Sequence, residues 1–283
     1  RLFRKPERKI PRPERTGRCS EYRLYIAHTL KRNIGMHQHQ WSAFLAFREA
    51  FRAVCLEWES NSDWLSPLAR AAAGNDATPE YPLGTPVVYN RALDDITTGD
   101  TISLIVIGDN PGKDEQLIKN RRYLVGQAGK LGEGFFRNNP ELGIDFRSNV
   151  LILNKTPIHT AKTKQLSYMA RFGGTRFASF FKETQHWMAR ETAKLHTGLG
   201  CGLWLVGYSE LKPSGLFSEY AATLSACYAG IPPLAPEKQV LVFQHFSMNR
   251  FSIDLKAHFD AQRSLSENLI ELGTAHRSEL LGW

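Results

Sequence analysis

The sequence has few cysteines and no long apolar run. Its four cysteines lie far apart, and none belongs to a Cys-x-x-Cys pair: Cys19, Cys55, Cys201 and Cys227. This spacing argues against a compact zinc site and favours a reduced chain inside the cell, so we expect a cytoplasmic protein. No apolar run approaches the ~20 residues that a transmembrane helix needs, which argues against a membrane protein. We expect no metal, no other cofactor and no obligate protein partner.

The positive charge of the chain is concentrated at its start. The first 18 residues contribute +6 of the net charge of +8, because they include eight basic side chains and only two acidic ones, Glu7 and Glu14. A Pro-containing basic segment with few apolar residues does not fold alone, and it attracts a polyanion such as DNA through counterion release. We therefore predict a flexible basic arm over residues 1–20 and DNA as the partner. A solvated tail that only improves solubility would have the same composition.

Residues 21–80 show a helical pattern. Apolar side chains recur at spacings of three and four and so share one face: Phe44, Phe47, Phe51, Val54, Cys55 and Trp58. This stripe predicts a helix that buries its aromatic face in a core, rather than a platform for base stacking. Several prolines, from Pro67 to Pro86, predict a domain boundary near residue 80.

The rest of the chain, residues 81–283, alternates short apolar runs with longer helical segments. Four runs are apolar on both faces: 102–107 (ISLIVI), 150–153 (VLIL), 203–206 (LWLV) and 240–243 (VLVF). Such runs are typical of buried parallel strands, and helical patterns follow over 175–196, 218–228 and 252–272. The sequence therefore predicts an α/β fold, a three-layer α/β/α sandwich with a mostly parallel central sheet and an N-terminal helical extension.

Three of these strands end in a polar, turn-forming cluster. GDNPG (108–112) follows the first strand, NKTP (154–157) the second and HFSMNR (245–250) the last. In open parallel sheets, the loops beyond the carboxyl ends of the strands form the ligand site. We therefore expect one cleft that contains Asp109, Asn110, Asn154 and His245.

In this order, and each at a strand end, the clusters resemble the motifs of the uracil-DNA glycosylase superfamily. ISLIVIGDNPGKDE with the downstream YLVGQAGKL is similar to the first motif of that family, VLILNKTPIHT to its base-reading strand, and VFQHFSMNR to its late His-Pro-Ser loop. The resemblance covers most of residues 101–255 and mixes the thermophilic-type and mismatch-specific branches. It implies a DNA glycosylase that hydrolyses the N-glycosidic bond of a flipped uracil or modified pyrimidine and leaves an abasic site.

The resemblance also implies a role for each catalytic residue. Cleavage needs a positioned water, a reader of the base edge and a donor for the negative charge on the leaving base. Asn110 aligns with the water-holding Asn of the mismatch-specific branch and Asp109 with the acidic residue of the thermophilic branch. Only Asp109 can also accept a proton, so we expect both to be needed and Asp109 to be the more costly to lose. His245 corresponds to the donor to the base O2.

The predicted base pocket departs from that of strict uracil enzymes. Asn154 corresponds to the residue that binds the Watson–Crick edge, and its amide suits uracil in one orientation and a cytosine derivative in the other. Gly112 stands where strict uracil enzymes have a Tyr that excludes groups on C5. Leu124 stands at the stacking position, so either the neighbouring Tyr123 stacks on the base or the pocket floor is aliphatic. We expect a pocket that admits a 5-substituted pyrimidine.

Further residues are expected to contact DNA. Ser247 is placed to hold a phosphate, Met248 to fill the space that the flipped base leaves, and Arg250 to pair with the DNA backbone. The long basic loop after the second strand adds Lys155 and His159. His159 is also a candidate counterpart of a His that bonds to the sugar in one branch of the family.

The motifs leave other interpretations open. GDNPG is also an ordinary turn sequence, and an Asn such as Asn154 often caps a helix. A defence glycosylase that excises hypermodified bases, for example glucosylated ones, from phage DNA is the alternative to repair of damaged DNA. A non-catalytic DNA-binding domain of the same fold is the alternative of another class. The iron–sulfur cluster of the thermophilic branch is not expected, because Thr156 occupies a ligand position and no close cysteine pair exists.

Overall fold

The fold is built on a four-stranded sheet. A computed structural model describes residues 35–231, 234–235 and 238–283 of the chain. All four strands run parallel in the order β2-β1-β3-β4: β1 (Leu104–Gly108), β2 (Val150–Asn154), β3 (Gly202–Val206) and β4 (Val240–Phe243). Every residue of each strand is buried, because helices cover both faces of the sheet. The predicted α/β class with a parallel sheet is confirmed.

The strand register brings the polar strand ends to one edge of the sheet. Gly108 at the end of β1 lies beside Asn154 at the end of β2, and Val206 at the end of β3 lies beside Phe243 at the end of β4. Because neighbouring strands lie about 4.8 Å apart, the loops that follow all four strands emerge within about 15 Å of one another. The three polar clusters therefore leave the sheet on the same side.

Eight α-helices lie around the sheet in the described residues: α1 (Gln38–Glu59), α2 (Ser62–Asn75), α3 (Gln127–Asn138), α4 (Gln165–Phe172), α5 (Gly174–Leu199), α6 (Ser218–Tyr228), α7 (Arg250–Ala257) and α8 (Leu265–Leu281). α1 packs against α5, where Phe51 stacks on Trp187 with ring centroids 5.6 Å apart and Trp58 donates from Nε1 to Glu183 at 2.9 Å. The aromatic stripe of α1 is buried as expected, apart from the partly buried Val54.

The proline-rich segment between α2 and β1 lies against the outer strand β2. Val87 forms an antiparallel bridge with Ile158, and Asn90 donates from Nδ2 to the carbonyl oxygen of Ile152 at 2.8 Å. Residues 35–283 form one compact unit. The irregular chain near the predicted boundary therefore packs on the sheet, and α1 and α2 belong to the same folded body.

Two further predictions concern the N-terminal residues and the possibility of a membrane-spanning helix. The basic arm predicted for residues 1–20 and the first part of the predicted helical region, residues 21–34, lie outside the described residues. Within the described part of the chain, no helix combines the length and the apolar character needed to cross a membrane.

Candidate active site

The carboxyl edge of the sheet opens into a cleft of about 640 Å³. Nine of the twelve predicted site residues line it: Asp109, Asn110, Gly112, Leu124, Asn154, His245, Ser247, Met248 and Arg250. The sheet topology accounts for their convergence, because the polar clusters follow strands that end side by side. The other three predicted residues, Tyr123, Lys155 and His159, do not line the cleft.

Asp109 is held by a buried ion pair. Its Oδ1 atom lies 2.6 Å from Nζ of Lys155, whose side chain is fully buried. Lys155 Nζ also donates to the carbonyl oxygens of Val206 at 2.6 Å and Gly108 at 3.3 Å, so each of its three N–H groups has an acceptor. Among the described residues, none donates a hydrogen bond to Asp109 Oδ2. This oxygen is therefore available to hold a water in the cleft.

The prediction that Lys155 contacts DNA is wrong. Its ammonium group cannot reach a phosphate without breaking three hydrogen bonds and leaving Asp109 unpaired. In the sequence, a lysine that opens a basic loop has the pattern of a surface cation, since lysine is seldom fully buried without a partner. Here the partner is Asp109, and Lys155 supplies its counter-charge.

Gly207, which follows β3, makes room for the Asp109 carboxylate. Its φ of +105° lies in the left-handed region, and a Cβ atom at this position would lie 2.3 Å from Asp109 Oδ1. Only glycine combines this backbone conformation with so close an approach. Gly207 was not predicted as a site residue, because its only signal in the sequence is its place directly after an apolar strand.

Asn110 uses its amide to brace a loop. Its Nδ2 atom donates to Thr160 Oγ1 at 2.8 Å and to the carbonyl oxygen of Ile158 at 3.2 Å. These bonds hold the loop after β1 against the loop after β2. Like Asp109 Oδ2, the Asn110 Oδ1 atom accepts no hydrogen bond from a described residue, so both candidates for positioning the water have an oxygen that can hold it, and only Asp109 can also accept its proton.

Asn154 presents an unpartnered amide at the cleft. The side chain is buried, and among the described residues no acceptor bonds to its Nδ2 atom. Its Oδ1 atom lies over Gly108, where a Cβ atom would approach it to 2.5 Å. A buried amide without a partner destabilises the fold by about 1–3 kcal/mol, and native proteins satisfy such groups with few exceptions. Asn154 therefore needs an acceptor from a bound molecule or water.

His245 lines the cleft, and a backbone contact fixes the tautomer of its ring. The backbone N–H of Ser247 donates to its Nδ1 atom at 3.1 Å, so the ring proton resides on Nε2. Burial lowers the pKa of His245, opposed by the nearby charge of Asp109 and assisted by that of Lys155, so the ring is neutral at pH 7. The Ser247 hydroxyl also lies 2.7 Å from Nδ1. Ser247 therefore orients the imidazole in addition to lining the cleft.

The loop that follows His245 is anchored by Phe246, which stands where the family motif has Pro. This side chain is buried, and its ring packs on that of Phe251 with centroids 5.0 Å apart. Gly132 of α3 leaves space for it, since a Cβ atom there would lie 3.3 Å from the Phe246 ring. Phe246 therefore fixes the start of the loop. Met248, at the tip of the loop, is 71% exposed and has a φ of +54°. The tip of the loop is therefore apolar and exposed, and its backbone is in the left-handed region that a methionine rarely adopts.

The wall of the cleft is aliphatic rather than aromatic at the predicted stacking position. Leu124 lines the cleft, whereas the Tyr123 ring is buried in the core and its hydroxyl donates to the carbonyl oxygen of Val88. Stacking by Tyr123 is therefore ruled out in this conformation, and the aliphatic alternative stands. The wall is open at Gly112, where a Cβ atom would have Glu115 Oε1 as its nearest neighbour, 3.9 Å away.

Glu115 is a second buried carboxyl group in the cleft and was not among the predicted site residues. It lines the cleft and is 7% exposed. Burial raises its pKa from the usual 4.5 to about 7, although hydrogen bonds from the backbone of Gly112 and Leu124 act in the opposite direction. The cleft thus contains a carboxyl group in an ion pair, Asp109, and a second carboxyl group whose pKa is raised to about 7. The acidic pair that follows Gly112 was the only sequence signal.

The prediction that His159 contacts DNA or attacks the sugar is also contradicted. Its side chain is fully buried, with Nδ1 2.9 Å from the carbonyl oxygen of Pro111 and Nε2 3.0 Å from the hydroxyl of Tyr81. Burial lowers the pKa of His159 to about 4. Both ring nitrogens are engaged, so His159 braces the loop behind the cleft.

The described residues contain no group of three or more His, Cys, Asp or Glu side chains that could hold a metal ion. Comparison of the chain with protein-family models, curated proteins and solved structures finds no match.

Proposed function

We propose that the protein is a DNA glycosylase that hydrolyses the N-glycosidic bond of a flipped uracil or modified pyrimidine and leaves an abasic site. One observation carries the proposal: a single cleft combines a carboxylate with a free oxygen (Asp109), an unpartnered buried amide (Asn154) and a neutral imidazole N–H (His245). These are the water holder, the base reader and the leaving-group donor that the reaction requires.

The reaction separates charge between sugar and base. As the bond between C1′ and the base nitrogen breaks, the sugar gains positive charge and the bonding electrons remain on the base. Asp109 stabilises the cationic sugar and accepts a proton from the water that forms the new C1′–O bond. Asn154 holds the edge of the base, and His245 donates its Nε2–H to the base O2 as negative charge accumulates there. The departing base is then protonated by solvent.

A glycosylase that removes hypermodified bases from phage DNA is the second candidate for the same cleft. The open wall at Gly112, the aliphatic Leu124 and the volume of about 640 Å³ favour a pyrimidine that carries an extra group. Repair of uracil and defence against modified phage DNA share the same chemistry, so the substrate panel decides between them.

The decisive experiment incubates the protein with labelled oligonucleotides that contain uracil, mismatched pyrimidines or 5-substituted pyrimidines, and with glucosylated phage DNA, before alkali cleaves any abasic site. Asp109→Asn should reduce product formation by about 100-fold or more, because the water loses its proton acceptor. Asp114→Asn is the matched control, since Asp114 lines the cleft from an exposed position.

Two results would count against the proposal. DNA binding without release of any base from the whole panel would favour a non-catalytic DNA-binding domain. Equal activity of Asp109→Asn and wild type would show that the carboxylate does not take part in the reaction.

A further inference from the structure

A surface beside the cleft has no role in the chemistry described above. Helix α4 buries Gln165, Leu166 and Met169 and turns its other side outward. On that side Phe172 is 58% exposed, its ring lies 4.4 Å from that of Tyr168, and the Arg171 guanidinium lies 5.2 Å from the Phe172 ring. We name this surface the α4 ledge and define it as Lys164, Tyr168, Arg171 and Phe172.

The ledge borders a groove of about 400 Å³, and the chain passes directly from residues that line the cleft to residues that line this groove. Lys162 and Thr163 line the cleft, and the next two residues of the chain, Lys164 and Gln165, line the groove. At 1.5 Å per residue, α4 is about 12 Å long. A strand that leaves the cleft along this path would therefore pass over the ledge within a few nucleotides.

The junction between the cleft and the ledge is held firmly. The Asp76 carboxylate pairs with Lys162 Nζ at 2.8 Å and with the ammonium of Lys164. Gln165 donates from Nε2 to Thr78 Oγ1 at 2.7 Å and accepts from the backbone N–H of Ala161 at 3.1 Å. A pre-organised surface loses little conformational entropy when it binds a partner.

The charge of this region favours a polyanion. The region contains three cations, Lys162, Lys164 and Arg171, and the groove lining contains one acid, Asp76. Hydrogen bonds from the two lysines hold the pKa of Asp76 well below its usual range. The carboxylate is therefore fully ionised at neutral pH, and an excess of positive charge remains. Exposed aromatic rings interleaved with cations are the combination by which proteins bind single strands, through base stacking and phosphate contact.

We propose that the α4 ledge binds unpaired nucleotides of the strand whose base occupies the cleft, an inference that rests on the proposed function. The ring of Phe172 stacks on one base, and Lys164 and Arg171 contact the adjoining phosphates. A base that is still paired and stacked in a duplex does not offer its face to the ring. The substrate at the ledge is therefore single-stranded DNA or a locally opened duplex.

The test measures binding of a fluorescent oligothymidine of about 20 nucleotides, and of the corresponding duplex, by fluorescence anisotropy. Phe172→Ala should weaken single-strand binding roughly tenfold and duplex binding less than about twofold, because only the single strand stacks on the ring. Arg171→Gln should lower the dependence of log affinity on log salt concentration by about 0.7. Phe259→Ala is the matched control, because Phe259 is also exposed, at 46%, and lies outside the groove and the cleft.

Phe172→Leu separates stacking from apolar packing, and thermal melting of each variant monitors its folding. The ledge is refuted if wild type fails to bind the single strand, if Phe172→Ala binds it as tightly as wild type, or if Phe172→Leu retains full affinity. Base release is assayed on the same proteins. Loss of single-strand binding in Phe172→Ala together with no base release from wild type would keep the ledge and reject the glycosylase. Base release by wild type, together with single-strand binding that Phe172→Ala leaves unchanged, would keep the glycosylase and reject the ledge.

Discussion

Removal of the Lys155 ammonium is the most direct test of how the cleft is built. Lys155→Met keeps most of the side-chain volume and deletes the charge that pairs with Asp109 at 2.6 Å. Breaking a buried ion pair from one side destabilises proteins by about 3–5 kcal/mol, because the remaining charge stays buried without a partner. Asp109 is only 7% exposed, so little solvent can replace the lost ammonium. We expect a loss of this size, against a total stability of about 5–15 kcal/mol for a typical domain.

The measurement is urea denaturation of wild type, Lys155→Met, Asp109→Asn and the double variant. The double variant should be more stable than the sum of the two single losses implies, with a coupling energy of about 2 kcal/mol or more, since it leaves no unpaired buried charge. Lys119→Met, at an exposed lysine, is the control and should stay within about 0.5 kcal/mol of wild type. Losses that simply add, or a Lys155→Met variant within about 1 kcal/mol of wild type, would refute the structural role assigned to Lys155.

Two further predictions follow from the cleft. Gly207→Ala should lower both stability and base release, because the new Cβ atom would lie 2.3 Å from Asp109 Oδ1. Gly230→Ala is the control: Gly230 also has a positive φ, but a Cβ atom there meets no atom within 4 Å. We expect this control to lower the free energy of unfolding by only about 1 kcal/mol. Glu115 has a pKa raised from 4.5 to about 7, so its contribution to stability is fully present below pH 4.5 and is lost as the pH rises through 7. At about 1.4 kcal/mol per pKa unit, the stability difference between wild type and Glu115→Gln should change by on the order of 3 kcal/mol between these limits.

Denaturation curves of the glycine variants, and denaturation of Glu115→Gln at a series of pH values, check these predictions. Equal losses for the two alanine variants would mean that backbone strain alone explains Gly207. A stability difference for Glu115→Gln that does not vary with pH would show that Glu115 titrates at its ordinary value.

The sheet and the convergence of its loops could be predicted from the sequence because both depend on local patterns. Short apolar runs with polar turn residues after them identify buried parallel strands and their carboxyl ends, and parallel topology then brings those ends together. For this reason, no information about distant contacts was needed to predict that one cleft contains Asp109, Asn154 and His245. The stripe on α1 was likewise predictable, because its period of three to four residues is a property of the helix itself.

The roles of Lys155, Tyr123 and Glu115 depend on contacts that the sequence does not display. Leu124 adopts a φ of +52°, and this local turn of the chain places Leu124 at the cleft while Tyr123 enters the core. Nothing in the pair Tyr-Leu indicates which side chain faces the ligand. Similarly, a lysine or glutamate is buried only where the fold supplies partners, and those partners come from other strands and loops.

The charge arrangement of the cleft matches the direction in which charge moves in the proposed reaction. Burial penalises ionised groups, and the ammonium of the fully buried Lys155 offsets that penalty for the Asp109 carboxylate. Burial lowers the pKa of His245, and the N–H of Ser247 occupies its Nδ1 atom, so the ring has one N–H donor, on Nε2. In the proposed reaction, the negative group would stabilise the sugar, which becomes cationic, and the neutral donor would stabilise the base, which becomes anionic. An imidazolium at His245 would oppose the cationic sugar, so the neutral ring is the state that favours bond cleavage.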